Sequence, residues 1–273
     1  MLTFDNWSIC IKKFAVIGAT GYVGQAVVKE LASRGHQVTA FARNVEKVVQ
    51  ADNVTAVNAD VLSTNFAEQL QGFDAVVSAF NAGWTNPNIG ADFTRGATAI
   101  VESAKTAAVP YLLVVGGAGS LFVAPNVQLI DTPDFPKEIF DGANSARNLL
   151  KELQDRRDVN WAFISPPALL GATGGYSEER TGEYRLGDDN LLMNGDIPAG
   201  ISVADLAIAI SDDVENQAHL HKRFTVARAC PYLDNEAKNR LNRQQNKANC
   251  ADNIGILSNN LTQFCQIWAF LGH

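Results

Sequence analysis

Three glycines, Gly18, Gly21 and Gly24, stand three residues apart in FAVIGATGYVG, residues 14–24. Glycines at that spacing can hold a phosphate, because bare backbone N–H groups approach it where a side chain would keep them away. Gly18 permits a tight turn, Gly21 lets backbone reach a pyrophosphate, and Gly24 lets the next helix pack closely on the preceding strand. Unpaired N–H groups at the helix start then face the negative charge. This is dinucleotide chemistry, and it requires a buried strand before the glycines and a helix after them.

Both elements are legible. KFAVIG (13–18) is a short apolar run, read as a buried strand, and Val23, Val27 and Leu31 recur every four residues on one helix face. A second strand, HQVTAFAR (36–43), ends where an NAD site usually presents an acid. Here Arg43 takes that place, and a guanidinium grips a 2′-phosphate through paired charge-assisted hydrogen bonds. NADP(H) is therefore expected in preference to NAD(H). At the end of a third strand, NVTAVNAD (53–60), Asp60 and Val61 are placed to flank the adenine. At the end of a fourth, FDAVVSAF (73–80), Ala79, Phe80 and Asn81 lie beside the expected ribose and nicotinamide path.

Further strands are PYLLVVGG (110–117), VNWAFISP (159–166) and KRFTVA (222–227). Helical patterns lie between them in TRGATAIVESAKTAA, in KEIFDGANSARNLLKELQ (137–154) and in SVADLAIAISDDVEN (202–216), the last with Ser202 as N-cap. Strands separated by helices predict an α/β fold: a doubly wound parallel sheet of Rossmann type, with its ligand crevice at the strand carboxyl ends. Residues 166–200, rich in glycine and charge, are expected to form a loop and hairpin, a small substrate-covering region over that crevice. A second GATG at 171–174 follows Pro-Pro and reads as a flexible loop. The expected organisation is an N-terminal extension at 1–12, an NAD(P)-binding domain at 13–228 and a polar, Asn-rich tail at 229–273.

The 273 residues carry a net charge of −7, which argues against nucleic acid and anionic membranes as partners. No apolar run reaches the ~20 residues of a spanning helix. The start, MLTFDNWSICIKK, has its lysines after the apolar residues, the wrong order for a secretory signal. The four cysteines form no CxxC pair, so neither a disulfide framework nor a zinc site is expected and the cytoplasm is the default location. The four histidines are scattered, so no metal site is expected and surface positions are. Nothing in the pattern indicates an oligomeric state.

The strand–GATGYVG–helix unit, Arg43, the Asp60-Val61 pair and VVGGAGSL (114–121) resemble the atypical branch of the short-chain dehydrogenase/reductase superfamily. More narrowly, VQLIDTPDFP, FISPPAL, ERTGEYRLG and ISVADLAIAI resemble its NADH-flavin reductase group, related to NmrA-like and biliverdin-reductase-B-like proteins. The resemblance spans roughly residues 12–227. It implies a reductase or an NADP(H)-binding regulator, with Gly18, Thr20, Gly21, Tyr22, Val23, Arg43, Asp60, Val61, Ala79 and Phe80 at the cofactor.

Many members of that superfamily use a Tyr-x-x-x-Lys helix, whose tyrosine passes a proton to the substrate oxygen. None of the five tyrosines here has a lysine four residues on, and the helix that should carry the pair has Phe140 and Asn144 instead. No catalytic residue is assigned. Hydride transfer to a flavin, quinone or similar planar acceptor remains open, because such acceptors take their proton from water and need orientation and a dry surface. Phe80, Trp84 and Tyr176 are candidates to wall that small molecule, and Ser120 to hydrogen-bond it. The alternative is an NADP(H)-sensing regulatory protein that binds without turnover.

Overall fold

Successive residues of the first strand bury on opposite sides of one sheet. Phe14 and Val16 join the core beneath one pair of helices, and Ala15 and Ile17 join the core beneath the other. A strand buried on both faces reads as a continuous apolar run, as KFAVI does. The computed structural model describes residues 11–229.

Its central sheet has eight strands: β1 (Lys13–Ile17), β2 (Gln37–Ala42), β3 (Val54–Asn58), β4 (Ala75–Ser78), β5 (Leu112–Val115), β6 (Trp161–Ser165), β7 (Tyr184–Gly187) and β8 (Lys222–Arg228). Their spatial order is β7-β8-β6-β5-β4-β1-β2-β3. The helices are α1 (Tyr22–Ser33), α2 (Phe66–Gln69), α3 (Ile89–Thr106), α4 (Phe140–Gln154) and α5 (Val203–Asn216). Leu31 of α1 and Leu206, Ile210 and Val214 of α5 cover one face, while Phe93 and Ile100 of α3 and Leu149 and Leu153 of α4 cover the other. This is a Rossmann-type α/β fold. The chain reverses direction across the sheet between β1 and β4, the switch point where such folds open a ligand crevice.

Ser202 caps α5 as expected, its hydroxyl accepting from the Asp205 N–H at 3.0 Å. The doubly wound parallel sheet is extended by one antiparallel edge strand: β7 pairs antiparallel with β8. The reason is its position. It lies at the sheet edge and is only partly buried, and antiparallel pairing tolerates solvent better than parallel pairing does. So part of segment 166–200 extends the sheet, while Met193–Asn194 and Ile197–Pro198 form the hairpin. The second GATG is a 3-10 turn over Ala172–Gly174, docked beside Tyr22 and Glu178, not a free loop.

His36 is also corrected. It is buried, edge-on to Phe14, with Nε2 2.9 Å from Glu215. Among the described residues no helix is long and apolar enough to cross a membrane. The tail from residue 230 and the first ten residues of the extension lie outside the described residues.

Candidate active site

The glycine turn is built where β1, β2 and β4 meet. The N–H groups of Gly18 and Ala19 donate to Phe41 O at the end of β2, and Gly21 N–H donates to Gly18 O at 3.0 Å. Gly18 has φ +77°, and a Cβ there would fall 2.5 Å from Ala79 O. The ends of β1 and β4 therefore touch backbone to backbone. A Cβ on Gly24 would fall 2.1 Å from Gly18 O, so the glycine is what lets α1 start against the turn.

The start of α1 has Gly21 as its N-cap, with no side-chain cap and no acid in the first turn. The first intrahelical bond runs from Gln25 N–H to Gly21 O, which leaves the N–H groups of Tyr22, Val23 and Gly24 without helical partners. Both features suit a pyrophosphate, since the helix dipole favours an anion there and no carboxylate of the first turn opposes it. The contrast is α5, whose start is closed by Ser202 and carries Asp205. Thr20 sits inside the turn, its carbonyl accepting from Gln25 Nε2. The Tyr22 hydroxyl donates to Glu178, and burial followed by that carboxylate pushes its pKa up to about 12.

Arg43 stands exposed just beyond β2, its carbonyl accepting from Asn58 Nδ2. Among the described residues it is the arginine whose guanidinium has no ion pair or side-chain hydrogen bond. An unpaired planar cation at the end of the second strand fits a 2′-phosphate. Asp60 is exposed and folds back on its own turn, accepting from Leu62 N–H, while Val61 packs on the core beside it. Phe80 lies over Gly96 and 6.0 Å from Phe93, and Asn81 accepts from Gly83 N–H.

Past Phe80 and Asn81 opens a cavity of about 200 Å³ at the carboxyl ends of β4, β5 and β6. Its walls are rings and apolar chains, among them Phe80, Trp84, Phe93, Phe135, Ile139 and Leu170, and backbone is bared at Gly116, Gly117, Gly119 and Gly142. Apart from the Trp84 indole, the polar side chains lining it are Asn81 and Asp134. Among the described residues no tyrosine or lysine lines it. The helix expected to present a Tyr-x-x-x-Lys pair turns Gly142, Ala143 and Ala146 toward it, leaving Phe140 partly exposed at the helix start.

Two residues assigned to the substrate from sequence stand elsewhere. Ser120 is buried beneath the lining, its hydroxyl 3.4 Å from both Gly117 O and Ser165 Oγ. The Tyr176 ring packs against Gly200, where a Cβ would meet it at 2.3 Å. Neither lines the cavity. Conversely, the sequence reading missed Phe135, Ile139 and Asp134. They come from the connection before α4, which has no periodicity, and the prolines of TPDFPKEI were the one signal that its path is fixed.

Three of the four described tyrosine hydroxyls donate to carboxylates, and the fourth, Tyr176, interacts with Arg228. Tyr22 reaches Glu178, Tyr111 reaches Asp213, and Tyr184 reaches Asp212 at 2.7 Å. Burial, then its bond to Asp212, raises the Tyr184 pKa further above its ordinary value. Tyr176→Phe and Tyr184→Phe are accordingly expected to change turnover by less than tenfold, where loss of a general acid costs ~100- to 10,000-fold. Tyr184→Phe should still cost about 1 kcal/mol of stability through the hydrogen bond it loses. Steady-state kinetics together with thermal melts of both variants check this.

A family model described as NAD(P)H-binding matches residues 18–214. The uncharacterized protein YwnB of Bacillus subtilis is 42% identical over 216 residues, 78% of this chain and 97% of that protein. Among solved structures, a protein of Bacteroides thetaiotaomicron described as a candidate epimerase superposes with a TM-score of 0.72 at 36% identity, covering 82% of this chain and 100% of its own. A Streptococcus pneumoniae protein described as a candidate NADH-flavin reductase superposes with a TM-score of 0.70 at 34% identity, covering 80% of this chain and 100% of its own.

Proposed function

The chain belongs to the NAD(P)H-binding family, and from that premise we propose that it is an NADPH-dependent reductase passing hydride to a flavin, a quinone or a similar planar acceptor. The observation that carries the proposal is the lining of the cavity: rings, aliphatic side chains and glycine backbone, with Asn81 and Asp134 as its polar chains besides the Trp84 indole and, among the described residues, no tyrosine or lysine to protonate a substrate oxygen. An acceptor that needs protein-supplied protonation is poorly served there. One that is itself reduced readily needs only to be held flat, close and dry.

The residues divide the work by position. Gly18, Gly21 and the first N–H groups of α1 hold the pyrophosphate. Arg43 pairs with the 2′-phosphate, and Asp60 and Val61 border the adenine. Ala79, Phe80 and Asn81 direct the nicotinamide half into the cavity. Phe80, Trp84 and Phe135 exclude water and confine the acceptor. When bound, the nicotinamide supplies the hydride, and water supplies the proton to the reduced acceptor. The name of the Streptococcus pneumoniae relative, which specifies a flavin reductase, supports the same acceptor class.

The test is NADPH oxidation against a panel of flavins and quinones, with cofactor binding measured alongside. NADPH-driven reduction of planar acceptors, and poor reduction of simple carbonyls, is the expected result. Efficient ketone reduction would contradict it.

A further inference from the structure

We propose that Gly117 sets the acceptor specificity of the cavity: its missing side chain leaves the place where the acceptor's ring lies flat against backbone. This rests on the reading of the chain as a hydride-transferring reductase. A glycine is ordinarily required by its backbone or by a neighbour, and Gly117 is required by neither. Its φ of −147° and ψ of 164° are extended values that any residue adopts. A Cβ built there has nothing within 4 Å. Among the described residues every other glycine either has a positive φ or would place its Cβ within 4 Å of another atom. The neighbours show the contrast. A Cβ on Gly116 would fall 2.1 Å from the Phe163 ring, and one on Gly142 would fall 2.9 Å from Ile89 Cδ1.

Gly117 nonetheless lines the cavity, so the open space over it is the cavity's own. A peptide plane without a Cβ is a flat surface on which an aromatic ring can settle at van der Waals distance. A single methyl group would lift that ring out of contact. Position selects the acceptor over the dinucleotide. Gly117 follows β5, one strand farther from the glycine turn than Phe80 and Asn81 after β4. Near it, Gly119 packs against Ala143 of α4 and against Phe135, neither of which belongs to the glycine turn.

The experiment compares the wild type with Gly117→Ala and Gly117→Val. It measures binding of 2-methyl-1,4-naphthoquinone by equilibrium dialysis in the presence of NADP, NADPH affinity, melting temperature, and turnover with the same quinone. Naphthoquinone affinity is expected to fall in the order Gly, Ala, Val, by roughly tenfold or more for valine, the usual scale of overpacking a filled site. NADPH affinity should hold. The melting temperature should hold or rise, because a side chain at a compatible φ restricts the unfolded chain; a purely structural glycine would show the opposite. Equal naphthoquinone binding by all three proteins, or by none, would overturn the proposal. So would a parallel fall in NADPH affinity, which would put the nicotinamide on Gly117, or a fall in melting temperature that tracks the lost binding. If the graded loss of binding appears while none of the three proteins turns the quinone over, Gly117 stands as the ring-binding position and the reductase reading fails.

Discussion

Gly24→Ala is expected to abolish measurable NADPH binding at ordinary ligand concentrations. Alanine is the better helix former by about 1 kcal/mol, so helix propensity alone predicts a more stable protein. Packing predicts the reverse, because the added Cβ would sit 2.1 Å from Gly18 O, 2.9 Å from Gly18 C and 3.0 Å from Ala19 Cα. All three are backbone atoms and cannot rotate aside. The start of α1 has to retreat from the turn by roughly 1 Å, a misplacement that costs on the order of 100-fold where a site depends on alignment. The same retreat uncouples the free N–H groups of Tyr22, Val23 and Gly24 from the turn that Gly18 makes with Phe41. Calorimetric titration with NADPH, read beside circular dichroism and a thermal melt, separates lost binding from lost folding. Wild-type affinity in a folded Gly24→Ala protein would show that the pyrophosphate lies elsewhere.

Arg43→Ala is expected to weaken NADPH by roughly 10- to 100-fold and to leave NADH nearly unchanged. A hydrogen bond to a charged group is worth ~1.5–3 kcal/mol. Among the described residues the guanidinium has no partner to give up, so the full contact is available to the 2′-phosphate. No other described arginine offers that, since each is engaged by a carboxylate, a carbonyl or a side-chain amide. The stability of the variant should match that of the wild type for the same reason. Equal losses for both nucleotides would remove Arg43 from cofactor choice.

How much was legible depended on whether an element's signal is local. The strands buried on two faces, β1, β4, β5 and β6, each announce themselves as short apolar runs, and the sequence reading placed all four within a few residues of where they lie. The glycine turn was legible because each of its glycines answers a separate steric demand at a fixed spacing. Strand β7, YRLG, was not. It is half exposed, has no β-branched residue and ends in glycine, so nothing local distinguishes it from a turn. His36 looked like a surface residue, because only the fold brings Phe14 and Glu215 to it. The cavity was legible only in part. Phe80 and Trp84 follow a recognisable strand, but Phe135 and Ile139 reach it from a connection whose course is set by tertiary packing. Ser120 and Tyr176 stand outside the cavity lining for the complementary reason. Both types can bond a ligand, yet Ser120 is drawn under the lining by Ser165 and Tyr176 fills the space that Gly200 leaves.

Hydride transfer from NADPH to a planar acceptor is tested most directly under single-turnover conditions, with a preformed complex of protein and NADPH mixed with a naphthoquinone or riboflavin. The NADPH carries either hydrogen or deuterium at the transferred position. The expected result is loss of the reduced nicotinamide matched one for one by reduction of the acceptor, slower with deuterium, and undiminished in the Tyr176→Phe and Tyr184→Phe proteins. Tight NADPH binding with no oxidation in the presence of any flavin or quinone would contradict it, and would make the same pocket that of an NADP(H)-sensing protein.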